Sequence, residues 1–194
     1  PSTVAPSGTT IPIGTVVNDR AFSSSDAISI SGNPVLDLPS GTYTLTIDGT
    51  GNTTGAYAFR LLDLNSATDI TASLGTTVNG TLTSGGRETD LYRFTAPAND
   101  RFYFDLQTAL AGNGFWRLFG PSGEQVFGFV PGNETSGDVE TVQLQAGQLY
   151  TLAFEGNYQN TIDQAYAFAV QPILDELNPV ALTLGATINE FIDE

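Results

Sequence analysis
Apolar and polar residues alternate with a period of two along most of this chain. Such alternation turns one face of an extended run toward a core and the other toward water. Tyr43, Leu45 and Ile47 share a face, with Thr42, Thr44 and Thr46 opposite. Tyr57, Phe59 and Leu61 alternate with Ala56, Ala58 and Arg60. The pattern returns at Tyr92 and Phe94, at Phe102, Phe104 and Leu106, at Trp116 and Leu118, and at Tyr150, Leu152 and Phe154. β-Branched and aromatic residues fill these runs, as a pleated, half-buried surface prefers. SGGRET (84–89), APAND (96–100) and PGNETSGD (131–138) separate them as turns, and GPSGE (120–124) predicts a hairpin between Phe119 and Val126. No long amphipathic helix appears. The expected fold is all-β, an antiparallel β-sandwich.

The alternating runs repeat. AYAF occurs at 56–59 and again at 165–168. Upstream, Leu38, Gly41, Tyr43-Thr44-Leu45 and Gly49 match Leu144, Gly147, Tyr150-Thr151-Leu152 and Gly156. Downstream, Leu74-Gly75-Thr76-Thr77-Val78-Asn79 matches Leu184-Gly185-Ala186-Thr187-Ile188-Asn189. The offset drifts from 106 residues (38 to 144) to 110 (74 to 184), as short loop insertions would make it. A period of this length suits a whole small domain rather than a solenoid unit. Both AYAF copies read as strands, with Tyr57, Phe59, Tyr166 and Phe168 aimed at a core. Residues 74–170 hold one full copy, residues before about 64 the closing part of an earlier copy, and 182–194 the opening of a later one. The chain therefore reads as a slice of a longer array or as a processed subunit.

Composition narrows the chemistry. The 21 Asp and Glu against 6 Lys and Arg give a net charge of −15, which disfavours nucleic acid and anionic membranes as partners. No apolar run approaches the roughly 20 residues of a membrane span, so no membrane insertion is expected. Cys, His and Met are absent, which excludes disulfides, the usual zinc sites and nucleophilic triads built on histidine. GTGNTTG (49–55) lacks the lysine and following helix of a phosphate loop and reads as a hairpin turn.

Gly80-Thr81-Leu82, Asp90-x-Tyr92-x-Phe94, Phe104-Asp105, Trp116-x-Leu118, Pro121-x-Gly123, Gly147 with Tyr150-x-Leu152, and Ala165-Tyr166-x-Phe168 follow one another in order. This series resembles the bacterial pre-peptidase C-terminal (PPC) domain, in the version strung in tandem in large secreted proteins. The resemblance covers 74–170 fully, and 36–61 and 182–194 in part. It implies a jelly-roll-like sandwich that is secreted and not itself catalytic. The expected organisation is a tail at 1–10, a partial PPC-like domain at 11–64, a linker at 65–73, a complete domain at 74–171, a linker at 172–181, and at 182–194 the opening strand of a following copy or a donor strand.

Candidate site residues are few. No catalytic residue and no resident cofactor is expected. Calcium is the candidate cation, since hard carboxylate oxygens are its ligands. Asp90, Glu134, Asp138 and Glu140 are the acids considered for it, although they lack the one-three-five spacing of a calcium loop. The competing reading of Asp90 is structural, a short acid holding loop amides. Tyr158, in the loop EGNYQNT, and Tyr103, off the Phe102/Phe104 face, are the aromatics placed to meet a polysaccharide. Leu182, Leu184, Ile188, Phe191 and Ile192 would carry assembly, if 182–194 adds a strand to the incomplete first domain of another copy. The leading expectation is a structural module of an extracellular or cell-surface fibre or giant adhesin, partnered by copies of itself or neighbouring repeats. The alternative is a carbohydrate- or matrix-binding accessory module, assisted by calcium.

Overall fold
The computed structural model describes residues 2–7, 18–20, 33–49, 51–57, 59–97, 101–110, 114–131 and 137–173. Its strands are β1 (Ser2–Ser7), β2 (Asn18–Arg20), β3 (Thr42–Ile47), β4 (Thr68–Asp69), β5 (Val78–Leu82), β6 (Thr89–Thr95), β7 (Arg101–Thr108), β8 (Phe115–Phe119), β9 (Gln125–Phe129), β10 (Val139–Gln143), β11 (Leu149–Glu155) and β12 (Gln164–Pro172).

Strands β4 to β12 form a β-sandwich. One sheet runs β10-β7-β12-β5, the other β4-β6-β11-β8-β9. The chain crosses from sheet to sheet at nearly every connection. The exception is the β8–β9 hairpin, whose turn closes with Gly123 at φ 77°, a left-handed backbone that suits glycine. This is the hairpin expected from GPSGE. All pairings within the sandwich are antiparallel save the short β4–β6 contact.

Period-two alternation becomes burial directly. Phe102, Phe104 and Leu106 of β7, Tyr92 and Phe94 of β6, Trp116 and Leu118 of β8, Tyr150, Leu152 and Phe154 of β11, and Tyr166, Phe168 and Val170 of β12 meet in one core. Each fully buried ring or large aliphatic side chain contributes about 1.5–3 kcal/mol relative to exposure. Phe127 and Phe129 join this cluster at its margin, where both lie edge-on to Trp116.

The stretch 65–73, expected as a linker, is built into the sandwich. Two 3₁₀ turns, at Leu64–Ser66 and Thr71–Ser73, flank β4. Ile70 is buried in the core, and its amide donates to the Arg93 carbonyl at 2.8 Å. An isoleucine one residue past a strand has the apolar surface to close the sandwich end, which the polar residues around it disguise.

Strands β1 to β3 form a separate sheet in the order β2-β1-β3. In β3 the expected alternation holds: Tyr43, Leu45 and Ile47 are half-buried and the threonines exposed. The expectation for 56–61 does not hold. Tyr57, Phe59 and Leu61 lie outside any strand and are exposed, at 66%, 58% and 67%. Their counterparts Tyr166 and Phe168 lie between β12's flanking strands, β5 and β7, and are buried. The four residues are the same; the flanking strands are what differ.

Candidate functional site
Among the described residues, three polar groupings bear on the expected sites. The first spans the two sheets. Tyr166 on β12 donates to an Asp90 carboxylate oxygen on β6 at 2.6 Å, and the Tyr92 and Tyr166 hydroxyls lie 2.7 Å apart. Period two places Asp90 and Tyr92 on one face of β6, and the Tyr166 ring reaches them by passing close over Gly80. A Cβ at Gly80 would sit 2.1 Å from the Tyr166 Cζ. Burial raises the Asp90 pKa, opposed by the hydrogen bond from Tyr166. Burial also drives the Tyr166 phenol far above the ordinary tyrosine range, reinforced by its bond to Asp90. This phenol stays protonated and serves as a donor. Asp90 thus holds a tyrosine, where loop amides were expected. The loop amides are taken by other acids: Asp163 accepts from Gly85 N at 2.8 Å, and Glu88 accepts from Thr83 N.

The second place joins two residues considered for different purposes. Asp138, a calcium candidate, accepts from the Tyr103 hydroxyl and from Leu106 N, both at 2.8 Å. Tyr103, a sugar-platform candidate, is thereby committed to a carboxylate, and its pKa is pushed up to about 12, chiefly by that bond. Glu140 is exposed on β10, and Glu134 lies outside the described residues. Asp90 belongs to the other sheet. Among the described residues no three acids gather closely enough to hold a metal ion.

The third place is an ion pair that alternation alone did not reveal. Arg117 and Glu155 project from the outer face of the five-stranded sheet, yet both are buried. Arg117 Nε bonds both Glu155 oxygens at 3.2 Å, Nη1 donates to Gln125 Oε1 at 2.6 Å, and the guanidinium lies 4.1 Å from the Phe115 ring centre. Phe119, Thr151 and Ala153 on the same face are buried too. The segment at 33–35 reaches this end of the sheet, where the Asn33 amide donates to the Gly123 carbonyl.

Tyr158 is exposed, in a turn where its hydroxyl accepts from the Gln159 amide at 3.0 Å. An open polar groove of about 470 Å³ is lined by Ser122, Glu124, Gln143, Gln145, Gln148 and Tyr150, and contains neither Tyr158 nor Tyr103. Leu182, Leu184, Ile188, Phe191 and Ile192 lie outside the described residues. No helix among the described residues is long and apolar enough to cross a membrane.

Compared with protein-family profiles and with curated proteins, the chain matches none. Among solved structures, it is similar to the pre-peptidase C-terminal domain of a collagenase from Bacillus anthracis. Identity is 19% and the TM-score 0.42, over 54% of this chain and 94% of that one. It is also similar to Aeromonas hydrophila PliG, a periplasmic inhibitor of g-type lysozyme, at 17% identity and a TM-score of 0.36, over 50% and 85% of the two chains.

Proposed function
We propose that this chain is a non-catalytic structural module of a bacterial extracellular fibre or adhesin, built from PPC-like repeats and working through assembly. The observation that carries this reading is the contrast between its two AYAF copies. One lies in β12, an inner strand of the sandwich. The other shows the same aromatics to solvent, an arrangement that costs free energy until apolar surface covers it. The absence of His and Cys from the sequence and the engagement of Asp90, Asp138 and Glu155 in structural bonds support a role without chemistry.

Sedimentation velocity of the full chain over a micromolar dilution series, with negative-stain microscopy of the fastest fraction, tests the proposal. Reversible association into linear species is expected. Added salt should promote it, because a net charge of −15 repels like chains and screening relieves that repulsion. A monomer at every concentration and ionic strength would overturn the reading.

A further inference from the structure
The Tyr57 and Phe59 rings are exposed, yet they are arranged as in a folded strand. Their centroids lie 6.4 Å apart at an interplanar angle of 18°. In β12 the equivalent Tyr166 and Phe168 lie 6.3 Å apart at 22°. Side chains two residues apart come to one side in this way when the backbone is extended. Leu61 and Leu62 continue the exposed apolar surface.

In the closed sandwich, β12 is covered on one edge by β5 in a continuous antiparallel register: Phe168↔Val78, Ala167↔Asn79, Tyr166↔Gly80, Ala165↔Thr81 and Gln164↔Leu82. The repeat reaches into β5 through its first two residues, Val78 and Asn79, while Gly80-Thr81-Leu82 gives way to Glu190-Phe191-Ile192. Leu74-Gly75-Thr76-Thr77-Val78-Asn79 recurs as Leu184-Gly185-Ala186-Thr187-Ile188-Asn189. The structure also matches the remainder of the early copy. β3, carrying Tyr43-Thr44-Leu45, pairs antiparallel with β1, as β11, carrying Tyr150-Thr151-Leu152, pairs with β8. β2 flanks β1 as β9 flanks β8. Equivalents of β8, β9, β11 and the β12 sequence are thus present before residue 64.

Resting on the reading of this chain as an assembling module, we infer that the 55–62 surface is a strand acceptor, and that its occupant is segment 182–194 of a second copy. Transferring the β5–β12 register gives Phe59↔Ile188, Tyr57↔Glu190 and Ala56↔Phe191. Ile188 and Ile192 then stand on the Tyr57/Phe59 side, where Val78 and Leu82 stand in the sandwich. Main-chain hydrogen bonds of the added strand supply affinity, and the alternate side chains supply register. Acceptor and donor are different surfaces, so the contact is heterologous and propagates head to tail.

One position departs from the copied register. Glu190 faces Tyr57 where Gly80 faces Tyr166. Tyr166 covers Gly80 too closely for any Cβ. Tyr57 therefore has to turn away from Glu190, and the pairing is weaker than its internal counterpart. Glu190→Gly removes that obstacle and should tighten assembly. Glu194→Gly removes the same charge without freeing the site, so non-specific association gains equally from both substitutions, whereas strand pairing gains more from Glu190→Gly.

The test uses full-length chains, whose lack of cysteine makes any introduced thiol unique. Ala56→Cys and Phe191→Cys chains are mixed with a short thiol–thiol cross-linker, and the 56–191 link is counted by mass spectrometry. A partner carrying Ser122→Cys, on the β8–β9 turn, sets the random-encounter background. The expected result is a 56–191 link well above background. It should rise when Glu190→Gly is added and fall about tenfold or more in Tyr57→Ser/Phe59→Ser. Near-ultraviolet circular dichroism from buried Trp116 checks that each variant is folded. Chains that sediment as assemblies but give only background linking would overturn the strand pairing and leave the module reading standing. A link found only within single Ala56→Cys/Phe191→Cys chains would overturn the two-chain form. Folded chains that neither link nor associate would overturn both.

Discussion

Tyr166 and Asp90 bind each other across the sandwich at 2.6 Å, one from each sheet, and Tyr92 adds its hydroxyl to the pair. A buried phenol needs a partner, and here the partner is a carboxylate that is itself only half-buried. The bond therefore fixes the spacing of β6 and β12 at the point where Gly80 lets the ring through.

Tyr166→Phe tests this tie with little change of shape. The substitution leaves Asp90 and Tyr92 without their shared neighbour, and stability should fall by about 1–3 kcal/mol. Urea unfolding followed by Trp116 fluorescence measures it. A variant as stable as the parent would mean that the hydroxyl contributes nothing.

The same carboxylate predicts a pH signature. Burial raises the Asp90 pKa in the folded chain above the ordinary 3.8, so the folded state holds the proton more tightly than the unfolded state. Asp90's contribution is then fully present below 3.8 and is lost as pH rises through the higher folded-state value. Asp90→Asn removes this dependence. The stability of the parent relative to Asp90→Asn should therefore decline with rising pH across that window. A constant difference, or one growing with pH, would contradict the burial argument.

Arg117 and Glu155 are a buried pair, and removing one partner strands the other charge. Arg117→Met should cost about 3–5 kcal/mol, and Arg117→Met/Glu155→Leu should recover much of the loss. Melting temperatures of the three proteins decide it. Equal loss in the single and double variants would show that packing around Phe115 and Gln125, rather than charge, sets the cost.

Tyr103 should titrate anomalously. Its bond to Asp138 holds the phenol near 12, and Asp138→Asn should bring it back toward the ordinary 10.0. Carbon-13 labelled tyrosine and an alkaline NMR titration follow it. A Tyr103 that titrates at the ordinary 10.0 in the parent would refute the contact.

Strands β6, β7, β8, β11 and β12 were legible because period two translates directly into inward and outward faces, and GPSGE named the β8–β9 hairpin; β10 was not, since its burial does not alternate and its Glu140 read as part of a candidate calcium set. The early AYAF copy was legible as a strand sequence but not in its surroundings. Burial of Phe59 depends on which strands flank it, and no four residues encode that. The Asp90–Tyr166 tie left a fainter trace. Tyrosine in place of phenylalanine at core positions 92 and 166 asks for an acceptor, and Asp90 stands two residues before Tyr92 on the same face. The Arg117–Glu155 pair left none, because its face alternates as an outer one and only tertiary contacts bury it. Ile70 was hidden by its polar neighbours in a stretch that looked like a linker.

The most direct measurement is amide hydrogen exchange across 55–62 in the full chain, at low and high protein concentration. If this surface accepts a strand from another copy, its amides exchange quickly when dilute and slow as concentration rises, while β12 stays protected throughout. Equal exchange at both concentrations in 55–62 would contradict the assembly account.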